Sequence, residues 1–119
     1  QITKPLEDWT TINEELYNNI TGKLLETAKP LARGVQRIKD KEGKEKVEDF
    51  NVVWTNTYNG KTKVFATTLG HNSDTVADSR YLDLITRGLL WSVDKLDNKA
   101  YLTPAKRVLI EEEKKEEKK

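Results

Sequence analysis

The sequence predicts a mixed α/β fold. Two features carry the prediction: a β-hairpin over about residues 51–69, and an amphipathic helix over about residues 80–95 that follows it. Alternation of side chains with period two indicates strands, whereas apolar residues that recur every three or four positions indicate a helix. With 119 residues, the chain has room for one small domain around a single core.

The predicted hairpin is centred on the dipeptide Asn59-Gly60. Both central positions of a two-residue hairpin turn need a positive φ angle, which Asn and Gly adopt most readily. On either side of the turn the residues alternate, and both faces carry apolar side chains near the strand centres, with Val52 and Val53 as the clearest neighbours. Apolar residues on both faces predict a sheet that is covered on both sides.

The predicted helix begins at Asp78 or Ser79, since either side chain can cap its first turn. Gly88 lies in the middle of the helix, where glycine costs ~1 kcal/mol relative to alanine. We therefore expect Gly88 to permit a close approach between helix and sheet. The predicted buried stripe has helical spacing and consists of Leu82, Ile85, Leu89, Val93 and Leu96, widened by Leu84 and Trp91.

Further strands are predicted over residues 31–37 and near residues 15–20. The second of these segments alternatively belongs to a short helical turn, with Thr10 or Thr11 as its cap and Glu14 as the reciprocal partner of that cap.

Two segments consist mainly of charged residues. Residues 39–49 lack apolar periodicity and predict an exposed loop, and residues 104–119 predict a solvated, charged tail. The folded domain is accordingly expected over residues 1–103.

Composition excludes several classes of function. The net charge is +1 with acids and bases interspersed, so the sequence predicts no nucleic-acid partner, which would require clustered Lys and Arg. The chain contains no apolar run of ~18 residues, so no membrane span is expected. Because it contains no cysteine, it has no disulfide, no thiolate metal site and no cysteine nucleophile.

Four segments occur together in a specific order: ELYNN (15–19), PLARG (30–34), VVWTNTYNGKTKVFATTLGHN (52–72) and RYLDLITRGLLWSVDKL (80–96). In this order and spacing they resemble the C-terminal half of a ThuA-like (trehalose-utilisation-like) domain. That resemblance implies a partial flavodoxin-like, class I glutamine amidotransferase-like α/β layer. It also implies a catalytic role for His71, because a similar hairpin in amidotransferases leads into the catalytic histidine.

The chain departs from the amidotransferase pattern. His71 is followed by Asn72 and Ser73 where amidotransferases have Pro and Glu, and the nucleophilic cysteine is absent. Glutaminase chemistry by this chain alone is therefore not expected. A whole ThuA-like domain also exceeds 119 residues. The expected partners are an upstream half of the same polypeptide, a partner chain, or self-association through the sheet.

His71 is the only histidine and the first candidate for catalysis near neutral pH. It follows a strand end, where α/β proteins hold reactive side chains, although a lone histidine there is often only a structural hydrogen-bonding residue. The sequence predicts no metal site and leaves cofactors open. We expect His71 to lie in a partly open pocket within reach of Asn72 and at least one of Asn56, Tyr58 and Arg80. The predicted ligand-binding residues are Tyr17, Asn18, Asn56, Tyr58, Asn72 and Arg80.

Two functions from different classes follow from these observations. In the first, the chain is part of a ThuA-like domain that binds or converts a carbohydrate, with His71 at the site. In the second, it is a non-catalytic structural or protein-interaction module within a larger assembly.

Overall fold

The computed structural model describes residues 1–12, 14–17, 23–102 and 106–111. Within these ranges the strands form one antiparallel sheet of order β1-β2-β3, with two helices after it. The elements are β1 (Lys29–Lys39), β2 (Glu45–Tyr58), β3 (Thr62–Thr67), α1 (Ser73–Ala77), α2 (Ser79–Ser92) and a 3₁₀ turn (Lys99–Tyr101). The mixed α/β class is confirmed. The described strands include no parallel pair, so the flavodoxin-like layer stays a prediction.

The hairpin between β2 and β3 turns at Asn59-Gly60 as predicted, but its loop has three residues and not two, because Tyr58 pairs with Thr62. Asn59 and Gly60 both have positive φ angles, of 51° and 69°. The backbone N–H of Lys61 donates to the carbonyl of Tyr58 over 3.0 Å, which closes the turn. Because both central residues have positive φ, the turn twists in the same sense as the two strands and holds their register.

For residues 39–49 the predicted loop is wrong, because most of this segment is in strands. The predicted exposure of its side chains is mostly confirmed. Residues 45–49 belong to β2 and pair with β1, so only the turn between the strands is a loop. In that turn the Asp40 carboxylate accepts hydrogen bonds from the backbone N–H groups of Glu42 and Lys44. The paired strands β1 and β2 form a two-stranded ribbon here. The hydrophobic periodicity of the sequence does not reveal it, because charged side chains cover most of both faces; one example is the ion pair of Arg33 with Asp49 at 2.9 Å.

The predicted strand over 31–37 is confirmed and extends to Lys29–Lys39. Near residues 15–20, residues 14–17 form neither a strand nor a helix, so the prediction of a strand is wrong for that part. Residues 18–20 lie outside the described ranges.

The core contains both faces of β2. Val52 and Val53 point in opposite directions and are 4% and 0% exposed, so the sheet is covered on both sides as predicted. On the Val52 face, Leu16 from the N-terminal segment packs near Gly34 and Val52. The Val53 face also carries Phe65, against which α2 packs.

The predicted buried stripe of α2 is confirmed in part: Leu84 and Leu96 are buried, and Gly88 makes the expected close approach to the sheet. Gly88 is also buried, whereas Leu82, Leu89 and Val93 are 46%, 61% and 53% exposed. The predicted stripe is therefore wrong for these three residues. The helix carries apolar side chains on two faces. The face with Gly88 packs on the sheet, because glycine has no side chain and lets the helix backbone approach the Phe65 ring. No helix in the described ranges is long and apolar enough to cross a membrane.

Gly88→Ala should destabilise the protein, although alanine is the better helix former by ~1 kcal/mol. A Cβ atom at Gly88 would lie 2.5 Å from the Phe65 ring, so either the ring or the helix must move. We expect the free energy of unfolding to fall by about 1–3 kcal/mol in urea titrations followed by circular dichroism. Thr86→Ala on the exposed side of α2 is the matched control and should be neutral or slightly stabilising. Stabilisation of the protein by Gly88→Ala would contradict the close contact.

Candidate active site around His71

His71 lies in the loop that leads from β3 into α1. Gly70, immediately before it, has a φ angle of 110°, and a Cβ atom at this position would lie 2.8 Å from the Tyr81 hydroxyl. Both constraints favour glycine. Immediately after His71, the Asn72 side chain caps α1 by accepting a hydrogen bond from the backbone N–H of Asp74 over 2.9 Å. The loop therefore has defined geometry on both sides of the histidine.

Glu14 anchors the same loop from the N-terminal segment. Its carboxylate accepts hydrogen bonds from the backbone N–H groups of Gly70 and His71, over 3.2 and 3.0 Å. Partial burial acts to raise the pKa of Glu14. Two other effects outweigh burial and lower the pKa. The Thr75 hydroxyl lies near the carboxylate, although without a well-formed hydrogen bond, and the carboxylate also interacts with the N–H groups of Gly70, Glu15 and His71. Glu14 is therefore ionised at neutral pH.

The His71 imidazole lies between two side chains of the N-terminal segment. The Tyr17 hydroxyl is 3.5 Å from Nδ1, and a carboxylate oxygen of Glu15 is 3.4 Å from Nε2. The His71 side chain is 42% exposed, so a ligand can reach the ring from solvent. The structure thus brings a hydroxyl, an imidazole and a carboxylate together from positions more than 50 residues apart.

Tyr17 is one of the ligand-binding residues predicted from the sequence, whereas Glu14 and Glu15 are not among them. In amidotransferases the acidic partner follows the histidine closely in the sequence, but here it comes from a distant segment. In the sequence, the only indication of these residues is that the acidic pair Glu14-Glu15 lies close to Tyr17. No local sequence pattern links this pair with His71; the two segments meet only through long-range packing in the folded chain.

The Arg80 side chain forms its hydrogen bonds with groups other than the His71 imidazole. Its guanidinium group donates two hydrogen bonds to the buried Asp78 carboxylate, over 3.0 and 2.8 Å, and one to the carbonyl of Ile110. The Trp9 ring centroid lies 6.0 Å from this guanidinium, within range of a cation–π interaction. Residues 106–111, which the sequence assigns to the tail, lie against the start of α2, where Ser79 and Val108 exchange two hydrogen bonds of 2.7 Å.

The remaining predicted site residues lie elsewhere or are not described. Asn56 is opposite Val64 in the sheet, and its side-chain oxygen is buried without a hydrogen bond. Tyr58 is exposed beside the hairpin turn. Neither residue hydrogen bonds to His71, and Asn18 lies outside the described residues. Within the described ranges, no three His, Asp or Glu side chains are grouped closely enough to hold a metal ion.

Comparison with known proteins identifies the family of the chain. The family model described as ThuA: Trehalose utilisation matches residues 1–92, so the chain belongs to the ThuA family. Membership indicates a role related to trehalose utilisation. No curated protein and no solved structure gives a significant match.

The Asp78 carboxylate should make stability sensitive to acid. Hydrogen bonds from Arg80 are the main reason that its pKa falls from 3.8 to about 2, with a further contribution from the Ile110 N–H, against the opposing effect of burial. The lowered pKa means that this stabilisation is complete above about pH 4 and is lost as the pH falls from about 4 through 2. It amounts to about 2 kcal/mol.

Asp78→Asn tests this contribution by urea unfolding between pH 2 and 7. At neutral pH we expect the variant to be less stable by at least about 2 kcal/mol, and the difference from wild type should shrink below pH 4. Asp83→Asn, which removes a more exposed ion pair with Arg107, should cost less than about 1 kcal/mol. A constant difference between wild type and Asp78→Asn from pH 7 to pH 2 would contradict the prediction.

Proposed function

We propose that this chain binds a carbohydrate at His71, and that the imidazole exchanges a proton with a hydroxyl group of the bound sugar. The observation that carries the proposal is the partly exposed ring held between the Tyr17 hydroxyl and the Glu15 carboxylate. Family membership supplies the context of trehalose utilisation.

The two neighbours of the imidazole suggest which nitrogen is the base. An ionised carboxylate only accepts hydrogen bonds, so Nε2 of a neutral ring carries the proton and faces Glu15. Nδ1 is then the acceptor, and it faces the Tyr17 hydroxyl. This tautomer is inferred from the hydrogen-bond partners. At 3.5 Å the contact with Tyr17 is long, so a sugar hydroxyl can compete for Nδ1 and donate its proton there.

In this proposal each residue near the ring has a separate role. Glu15 orients the ring and stabilises its protonated form, Tyr17 provides a hydroxyl for the ligand, and Glu14 holds the loop through backbone N–H groups. Asn72 keeps the loop against α1. Ligand contacts by Asn18, Asn56, Tyr58 and Arg80 remain sequence predictions. Glutaminase chemistry is not part of the proposal, because the 119 residues contain no cysteine.

Titration of the full chain with trehalose tests the proposal. We expect saturable shifts of the His71 imidazole NMR signals, and a dissociation constant at least about tenfold weaker in His71→Ala by calorimetry, as for loss of one good hydrogen-bonding group. Glu26→Ala, at an exposed position, is the control and should bind as wild type. If trehalose and glucose both leave the imidazole signals unchanged, or if His71→Ala binds as well as wild type, the proposal fails.

A second candidate function, a protein-interaction module, is favoured by the outer surface of α2 and β3. Leu82, Leu89 and Val93 form an exposed apolar stripe along the helix. Beside it, β3 is the last strand of the described sheet, so one of its edges is unpaired. A groove of about 610 Å³ runs between strand and helix, lined by Val64, Phe65 and Leu89 among others. Contiguous apolar surface of this kind is typical of an interface.

In this second proposal the surface is covered by an upstream half of the same polypeptide, a partner chain, or another copy of the chain. Analytical ultracentrifugation of the 119-residue chain tests the last of these. We expect sedimentation to increase with concentration, and Leu89→Glu to shift the chain towards monomer. Val35→Glu is the matched control, because Val35 is equally exposed but lies on the β1–β2 ribbon. A wild-type chain that stays monomeric at every concentration would rule out self-association.

A further inference from the structure

The His71 site has negative charge on two sides. The Glu15 carboxylate lies 3.4 Å from Nε2, and the Glu14 carboxylate lies behind the loop against the His71 backbone. Their exposures differ: the Glu15 side chain is 58% exposed and can meet a ligand, whereas Glu14 is partly buried and directed at backbone N–H groups. A ligand that approaches the ring therefore meets Glu15 first.

No basic side chain balances these charges within the described residues. The described hydrogen bonds and ion pairs of Glu14, Glu15 and His71 include no lysine or arginine. The cations of the neighbouring elements have other partners: Arg80 pairs with Asp78, Arg87 donates to the carbonyls of Gln1 and Ile2, and Lys63 pairs with Asp94. The described site thus lacks the guanidinium or ammonium group that recognition of a phosphate normally uses.

We infer that the site selects uncharged sugars over sugar phosphates, and that Glu15 is the residue that sets this specificity. The inference rests on the proposed carbohydrate binding at His71. Sugar hydroxyls donate hydrogen bonds, and a carboxylate accepts them strongly. A phosphate ester carries nearly two negative charges at neutral pH and has almost no proton to donate. Two carboxylates within a few ångströms repel it.

The comparison of trehalose with trehalose 6-phosphate tests the inference. Calorimetry on the full chain at low ionic strength should give a dissociation constant for the phosphate at least about tenfold weaker than for trehalose. The ratio should shrink at high salt, because the exposed Glu15 charge is screened. His71 imidazole signals recorded in the same titrations report whether both ligands bind at this site.

Glu15→Gln keeps the size of the side chain but removes its charge. We expect weaker binding of trehalose, tighter binding of the phosphate, and a ratio of dissociation constants that falls severalfold towards one. Glu26→Gln changes the net charge equally at an exposed position that has no described contact with His71 and should leave the ratio unchanged. Because the ratio is measured within each variant, a small loss of folded protein does not affect it.

The outcomes separate this inference from the proposed function. If neither ligand moves the His71 signals, carbohydrate binding fails and the inference fails with it. If trehalose binds at His71 but the phosphate binds equally or more tightly, the selectivity is wrong and the proposed function stands. If the selectivity is present but Glu15→Gln leaves the ratio unchanged, the assignment to Glu15 is overturned.

Discussion

The buried carboxylate of Asp78 is the interaction on which the second half of the structure depends. Asp78 ends α1 and caps α2, and its side chain accepts hydrogen bonds from the Arg80 guanidinium and from the Ile110 N–H. One ionised group thereby links the junction of the two helices to the segment 106–111. A buried charge is stable only when it is fully hydrogen bonded. The geometry around Asp78 therefore tolerates little variation, and only the short helix α1 separates it from the His71 loop.

The His71 site is assembled from two segments that are far apart in the sequence and meet only in the folded chain. Residues 14–17 supply both carboxylates and the tyrosine, and residues 70–71 supply the loop and the imidazole. Hydrogen bonds of 3.2 and 3.0 Å to Glu14 hold the main chain of the loop, whereas the contacts of the imidazole, at 3.5 and 3.4 Å, are longer and partly exposed. This division would suit the proposed binding site, because the backbone is held by hydrogen bonds while the imidazole remains exposed.

The outer face of α2 connects the carbohydrate and interaction hypotheses. A helix that is apolar on two opposite faces normally lies between two layers, yet in the described residues only the Gly88 face of α2 packs on a layer. The exposed stripe of Leu82, Leu89 and Val93 and the open edge of β3 include none of the residues that contact the His71 imidazole. Binding of a sugar at the loop and association through this surface are thus compatible in the same chain.

The sequence by itself determined the features that depend on local backbone preference. Asn59-Gly60 specified the turn, Asp78 the start of α2, and the end of β3 the location of His71 in a loop. Only the tertiary structure decided the rest. Long-range packing brought Glu14 and Glu15 to His71, backbone pairing drew the charged segment 45–49 into β2, and the contact between Gly88 and Phe65 selected which apolar face of α2 is buried. A turn needs only the φ angles of its own residues, whereas a choice between two apolar faces depends on the surface that each face meets.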